Sequence, residues 1–191
     1  MIVPAALAGL DEARALREVL LARFGSLVCS TFGIRPSKLF VGVDQRLCIC
    51  VGTPATDESV SIYTTKYHHW YEEERTTLLA RLGYSVSLVD SRLGRIRQVG
   101  IVEARSVLAA LDKKHNATVS AYYSTTRTGT LMHYHRSPRY WIRAMDFEPH
   151  FQSPTRTRSI HHFRDLHFKD QTSAEVVGAT LNSSLFFFWF L

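Results

Sequence analysis

What this 191-residue sequence has little of narrows its function first. Its three cysteines, Cys29, Cys48 and Cys50, are too few for a disulfide framework, so a reducing, cytoplasmic location is expected. No stretch approaches the ~18 apolar residues of a membrane span, and the N-terminus lacks the charged region and cleavage site of a secretory signal. No membrane partner is therefore expected. No two of the six prolines are adjacent, and no G-x-G-x-x-G turn occurs among the ten glycines, so a dinucleotide fingerprint is excluded. Neither a Ser-His-Asp pattern nor a nucleophile elbow is present, and no acid pair suited to metal-dependent DNA cleavage is recognisable.

The composition is that of a globular chain, 46% apolar, with 23 Lys and Arg against 17 Asp and Glu and a net charge of +6. That excess is unevenly placed. Residues 1–90 carry 9 basic and 10 acidic side chains, whereas residues 91–191 carry 14 and 7. The second half is where a polyanion is attracted. The length allows one domain and part of another, and the change in charge puts the boundary at residues 90/91.

Hydrophobic patterning predicts an α/β chain. Residues 1–7 read as a buried strand, and residues 11–24 as a helix capped by Asp11, with Leu16, Val19, Leu20 and Phe24 on its apolar face and Gly25 as its stop. Residues 26–32 read as a second strand, completing the strand–helix–strand rhythm of a parallel sheet. Residues 47–51 are apolar on both faces and predict a central strand. Residues 61–70 are rich in aromatic and β-branched side chains and predict an extended segment. A helix is expected over residues 71–82, with Leu78, Leu79 and Leu82 on one face and Glu72, Glu73 and Glu74 complementing its dipole.

Beyond residue 91, a short helix is expected over residues 105–114 and strands over 117–123, 130–135 and 140–147. A last helix opens on a capping box at Thr172 and Glu175. The closing apolar run, residues 185–191, has no polar flank, which suggests a missing cover. His133 and His135 share a strand face, and Cys48 and Cys50 share another, but no further ligand stands at a spacing that completes a metal site. Structural or surface roles are expected for all nine histidines.

Two long strings carry a resemblance. Residues 32–47 (FGIRPSKLFVGVDQRL) and 62–75 (IYTTKYHHWYEEER) resemble the N6-adenine DNA methyltransferases of restriction-modification and related phage-defence systems. The opening IVPAAL of residues 2–7 is similar to the strand just beyond their catalytic loop. Residues 139–143 (RYWIR) and 181–185 (LNSSL) resemble the start of their target-recognition region. The resemblance implies part of a class I, S-adenosylmethionine-dependent enzyme. Its fold would be the later strands of a Rossmann-like methyltransferase sheet over residues 1–90, followed over 91–191 by an α+β segment of a target-recognition domain.

The family's Gly-rich cofactor turn and its Asn/Asp-Pro-Pro-Tyr/Phe catalytic loop are both absent, and on this reading they lie upstream of Met1. The intact enzyme would transfer a methyl group from S-adenosylmethionine to the amine of a flipped adenine. This chain alone is expected to bind no cofactor and to be inactive.

Such enzymes hold an extruded base by stacking. In the segment the resemblance assigns to the target-base loop, Phe32 and Phe40 are candidates for an apolar face of the pocket. Arg35, Lys38, Gln45 and Arg46 are candidates for phosphate and base contacts. Lys66, set among Tyr63, Tyr67 and Trp70, suits a nucleic-acid contact and equally an ordinary half-buried strand. Arg139 and Arg143 are the candidates in the basic half, and the expected partner is double-stranded DNA. Two other readings stand beside this one. The chain is a non-enzymatic DNA-binding module, or it is half of a split methyltransferase that docks on a separate chain carrying the cofactor-binding half.

Overall fold

An apolar run flanked by turn residues is best paired on both sides, and residues 47–51 are paired in this way. In the computed structural model, β3 (Leu47–Pro54) lies between β1 (Ile2–Pro4) and β2 (Phe24–Phe32), antiparallel to both. β2 pairs in parallel with β4 (Ser61–Thr64), and β5 (Ser85–Val86) completes the order β1-β3-β2-β4-β5. The sheet is therefore mixed. β1 and β2 run in the same direction, as the strand–helix–strand rhythm requires, but reversed β3 separates them.

The structure describes residues 1–55, 60–89, 94–112, 118–137, 141–148 and 162–190. It divides into two compact units, Met1–Lys114 and His115–Leu191, later than the charge change at 90/91 suggests. The reason is hydrogen bonding that charge does not report. The amide of Ser87 donates to Ile62 O, that of Ile96 to Ala8 O and that of Gly100 to Thr64 O, so residues 85–89 and 94–100 are tied to the first unit. Gly100 has φ +73°, and a Cβ there would sit 2.3 Å from the Lys66 amide nitrogen, so only glycine fits this approach.

One sheet face carries Leu27, Cys29, Cys48, Cys50 and Ile62 beneath Leu7 and Ala8 of α1 (Ala6–Gly9) and Leu20 and Leu21 of α2 (Arg14–Arg23). The inner side of α2 differs from the expected one. Leu16 and Val19 are each 53% exposed, and the buried residue is Arg17. Its Nη1 donates to Leu7 O (3.0 Å) and Leu10 O (2.6 Å), and its Nε donates to Gly94 O (2.8 Å). The carbonyls at the end of short α1 need donors, and a buried guanidinium supplies them, which outweighs the apolar periodicity. Burial holds the Arg17 pKa below its ordinary value, and nearby Arg95 adds to the shift. Gly25 is not a helix stop. It is the extra residue of a β-bulge between Phe24 and Ser26.

The other face carries Phe32, Trp70 and Leu78, with Leu39, Ile49 and Leu82 packed around them. Residues 71–82 form 3-10 turns at Glu72–Glu74 and Leu79–Arg81 rather than the expected α-helix. Leu79 is exposed, so a three-leucine face never forms. β1 is likewise an edge strand and half-exposed rather than buried on both faces. α3 (Val102–Asp112) buries Ala104 and Leu108.

The second unit is a three-stranded antiparallel sheet, β7-β6-β8, of β6 (Thr130–His135), β7 (Ala144–Met145) and β8 (Phe163–Phe168). α4 (Gln171–Asn182) covers one face, packing Ala174 and Val177 on Met132, Ala144 and Phe168. Its cap is Asp170, whose carboxylate accepts from the Ser173 amide at 2.8 Å, two residues before the expected cap. Asn182 fixes the other end, accepting from Ala144 N (2.9 Å) and donating to Ala144 O (2.8 Å). Residues 119–122, expected as strand, form a 3-10 turn, and β8 has no counterpart in the sequence reading. The apolar run forms α5 (Ser184–Phe190), in which Leu185 and Phe190 stay exposed. Among the described residues, no helix is long and apolar enough to cross a membrane.

Candidate nucleic-acid interface

β2 and β4 are parallel; β4 ends at Thr64 opposite Cys29, and β2 runs on to Phe32, which forms a parallel bridge with His68. Ligands of open α/β sheets bind outside the carboxyl ends of parallel strands, and here the loops 33–46 and 65–75 follow those ends. The two loops are stitched together. The Gly33 amide donates to His68 O (2.8 Å), and the Ser37 amide donates to Trp70 O (3.1 Å). Arg75 donates to Lys38 O (2.9 Å) and Leu39 O (3.1 Å), grips Glu72 and lies over the Trp70 ring at 4.8 Å. The segments at residues 32–47 and 62–75 therefore form one surface, and its shape is set by the backbone.

Of the expected site residues, Arg35, Gln45, Arg46 and Lys66 are exposed on these loops, and Lys38 is half-buried. The Arg46 guanidinium lies 5.7 Å from the centre of the Tyr67 ring, a cation–π contact that orients it. Burial raises the Tyr67 pKa and the Arg46 charge pulls it down. Lys38 forms an ion pair with Asp44, which holds that carboxyl below its usual range. An anion at Lys38 therefore competes with Asp44. The Arg35 carbonyl lies 2.9 Å from Nδ1 of His69, which joins the two loops at a further point.

The two phenylalanines separate. Phe40 is 43% exposed at the loop surface, whereas Phe32 is 0% exposed and stacks on His68 with ring centres 5.7 Å apart. Phe32 is thus floor rather than rim, and Phe40 is the ring left exposed. Burial lowers the His68 pKa and the Lys66 charge lowers it further, so this imidazole is neutral beneath the loops.

In the second unit, Arg143 is exposed, and its carbonyl accepts from the His135 amide at 2.9 Å. Continuing the register of β6 and β7 puts it on the sheet face opposite α4, with His133 and His135. That face is aromatic. His135 stacks on His162 at 5.8 Å and meets Phe163 edge-on at 5.2 Å, while His133 Nδ1 lies 2.8 Å from Asp165 Oδ1. Arg139 lies outside the described residues. A cleft of about 240 Å³ between β7 and α4 is lined by Asp146 and Glu175 together with apolar side chains, so its charge does not suit a phosphate.

Sequence reasoning missed Arg75, although it lies in the quoted string, because its partners are backbone carbonyls 36 and 37 residues away. It also missed Cys29, whose sulfur joins those of Cys48 and Cys50 only once the register of β2 and β3 is known. Among the described residues this is the one group of three or more His, Cys, Asp or Glu drawn close enough to hold a metal ion.

The fold defines a mixed α/β protein with a five-stranded mixed sheet and a second, small sheet. Comparison of the chain with protein-family models, curated proteins and solved structures finds no match.

Proposed function

We propose that this chain is the DNA-contacting later portion of an adenine-specific DNA methyltransferase. The observation that carries the reading is the union of loops 33–46 and 65–75 at the carboxyl ends of β2 and β4, which presents Arg35, Lys38, Arg46, Lys66 and Phe40 on one surface. Basic side chains tracking a backbone beside an accessible ring are what an extruded base and its flanking phosphates require. The order of β1, β3 and β2 supports the same reading. Two parallel strands enclosing one reversed strand are compatible with the later part of a class I methyltransferase sheet, to which β4 and β5 add two strands beyond β2.

The methyl donor and the Asn-Pro-Pro-Tyr-type loop come from outside these 191 residues. β1 supports a split arrangement, since it is an edge strand on which a parallel sheet can continue, and Ile2 is 51% exposed there. In that arrangement this chain steers and holds the DNA, while the cofactor half supplies S-adenosylmethionine and the groups that bind the adenine amine. The test uses the full chain. Calorimetry with S-adenosylmethionine is expected to give no binding, and anisotropy with duplex DNA is expected to show binding that weakens steeply with salt. Micromolar binding of S-adenosylmethionine overturns the assignment of the donor site elsewhere, and salt-independent or absent DNA binding overturns the interface.

A further inference from the structure

The fold gathers the chain's three cysteines at one point. Cys50 donates its amide to Met1 O and accepts from Met1 N, so its backbone groups point to β1, while the Cys29 carbonyl accepts from Thr65 on the opposite side. Cys29 and Cys50 therefore face each other as a non-hydrogen-bonded pair, where side chains come closest. Their sulfurs are 3.6 Å apart. Cys48, two residues along β3, shares that face, with its sulfur 3.5 Å from that of Cys50. All three sulfurs lie within 4.8 Å of one another, and the residues are 5%, 1% and 2% exposed.

Metal–thiolate bonds of about 2.3 Å around a three-coordinate centre set sulfur–sulfur separations of about 4 Å. Two sides of the triangle, 3.5 and 3.6 Å, fall just short of that size, and the third is within 4.8 Å. Structural zinc sites take four ligands, and among the described residues no His, Asp or Glu completes this group. The Thr31 hydroxyl, 3.7 Å from the Cys48 sulfur, donates to it. Leu7, Ala8, Leu27 and Ile62 wall the site, so a hydrated hard cation has no place in it. Soft thiolates in a dry pocket select a soft d10 ion.

We propose that Cys29, Cys48 and Cys50 form a three-coordinate site for a single Cu(I) ion. Each copper–sulfur bond replaces a sulfur–hydrogen bond, and the released proton leaves to solvent with no change of oxidation state. α1, four residues long, without a side-chain cap at its N-terminus and held at its other end by Arg17, is the part of the cover that gives way to admit the ion.

The test titrates the full, reduced chain anaerobically with Cu(I) against a chromophoric Cu(I) chelator. One equivalent is expected per chain, with an ultraviolet thiolate-to-copper charge-transfer band. X-ray absorption on the loaded wild-type chain is expected to count three sulfurs and no nitrogen or oxygen, a readout independent of any variant. C48S and C50S, checked for folding by circular dichroism, are expected to weaken binding by at least a hundredfold. The proposal is overturned by failure to compete with the chelator, by equal uptake in the triple serine variant, or by a fourth, non-sulfur ligand. It is equally overturned if the chain isolated without reductant carries a Cys29–Cys50 disulfide and takes up no copper after reduction.

Discussion

Replacing each of the two loop phenylalanines by alanine separates what holds the surface together from what it presents. Phe32 is 0% exposed, touches Trp70 and Leu78 in one cluster and stacks on His68. Its ring cannot be removed without leaving a void that the sheet is too rigid to close. Phe→Ala at such a position costs about 3–5 kcal/mol. At about 3–5 °C per kcal/mol for a domain of this size, the F32A melting temperature should fall by roughly 10–25 °C. Phe40 is 43% exposed, so F40A should cost less than about 1 kcal/mol of stability. It should instead lose the stacking of one base, about 1–3 kcal/mol, or roughly 5- to 150-fold in affinity for single-stranded or adenine-mismatched DNA. Thermal melts by circular dichroism and anisotropy titrations on the same two proteins measure both quantities. A stable F32A protein, or an F40A protein that melts early and binds normally, would refute the division of floor and rim.

Other consequences are local. D44N removes the partner of Lys38 and should tighten DNA binding about two- to fivefold at low salt, with the gain fading as salt rises, in the same anisotropy assay. The His68 pKa is lowered in the folded chain, so below the unfolded value near 6.5 the unfolded state binds a proton that the folded state refuses. Stability should therefore fall as pH drops through about 6.5, and H68F, which keeps the stack on Phe32, should flatten that part of the urea-denaturation profile. N182A removes both hydrogen bonds to Ala144 and should cost about 1–3 kcal/mol in urea denaturation of the second unit.

Local patterns in the sequence told strands from helices where one face is plainly apolar. Residues 26–32, 47–51 and 130–135 announce strands because their burial depends on alternation or on unbroken apolarity, both visible in a short window. Arg17 shows where that signal stops. Its burial depends on carbonyls at Leu7, Leu10 and Gly94, and no periodicity within α2 reports them. The 3-10 turns over residues 71–82 arise because Trp70 and Leu78 must reach the core while Arg75 reaches back to residues 38 and 39. β8 pairs along the whole of β6, a long-range match with no turn signal beside it.

The candidate interface was legible as two strings, and their meeting follows from the parallel pairing of β2 and β4. The cysteine triangle was legible only in part, since Cys48 and Cys50 share a face by spacing while Cys29 joins them through register.

The central claim is that loops 33–46 and 65–75 together hold a nucleic-acid backbone. Its most direct test is the salt dependence of duplex DNA binding, measured for the wild-type chain and for one carrying R35A, K38A, R46A and K66A. If each of these side chains neutralises one phosphate, the slope of log K against log salt should become less steep by about 3–4 units in the variant. An equal slope in both proteins, with folding intact, would contradict the account and move the DNA contact elsewhere on the chain.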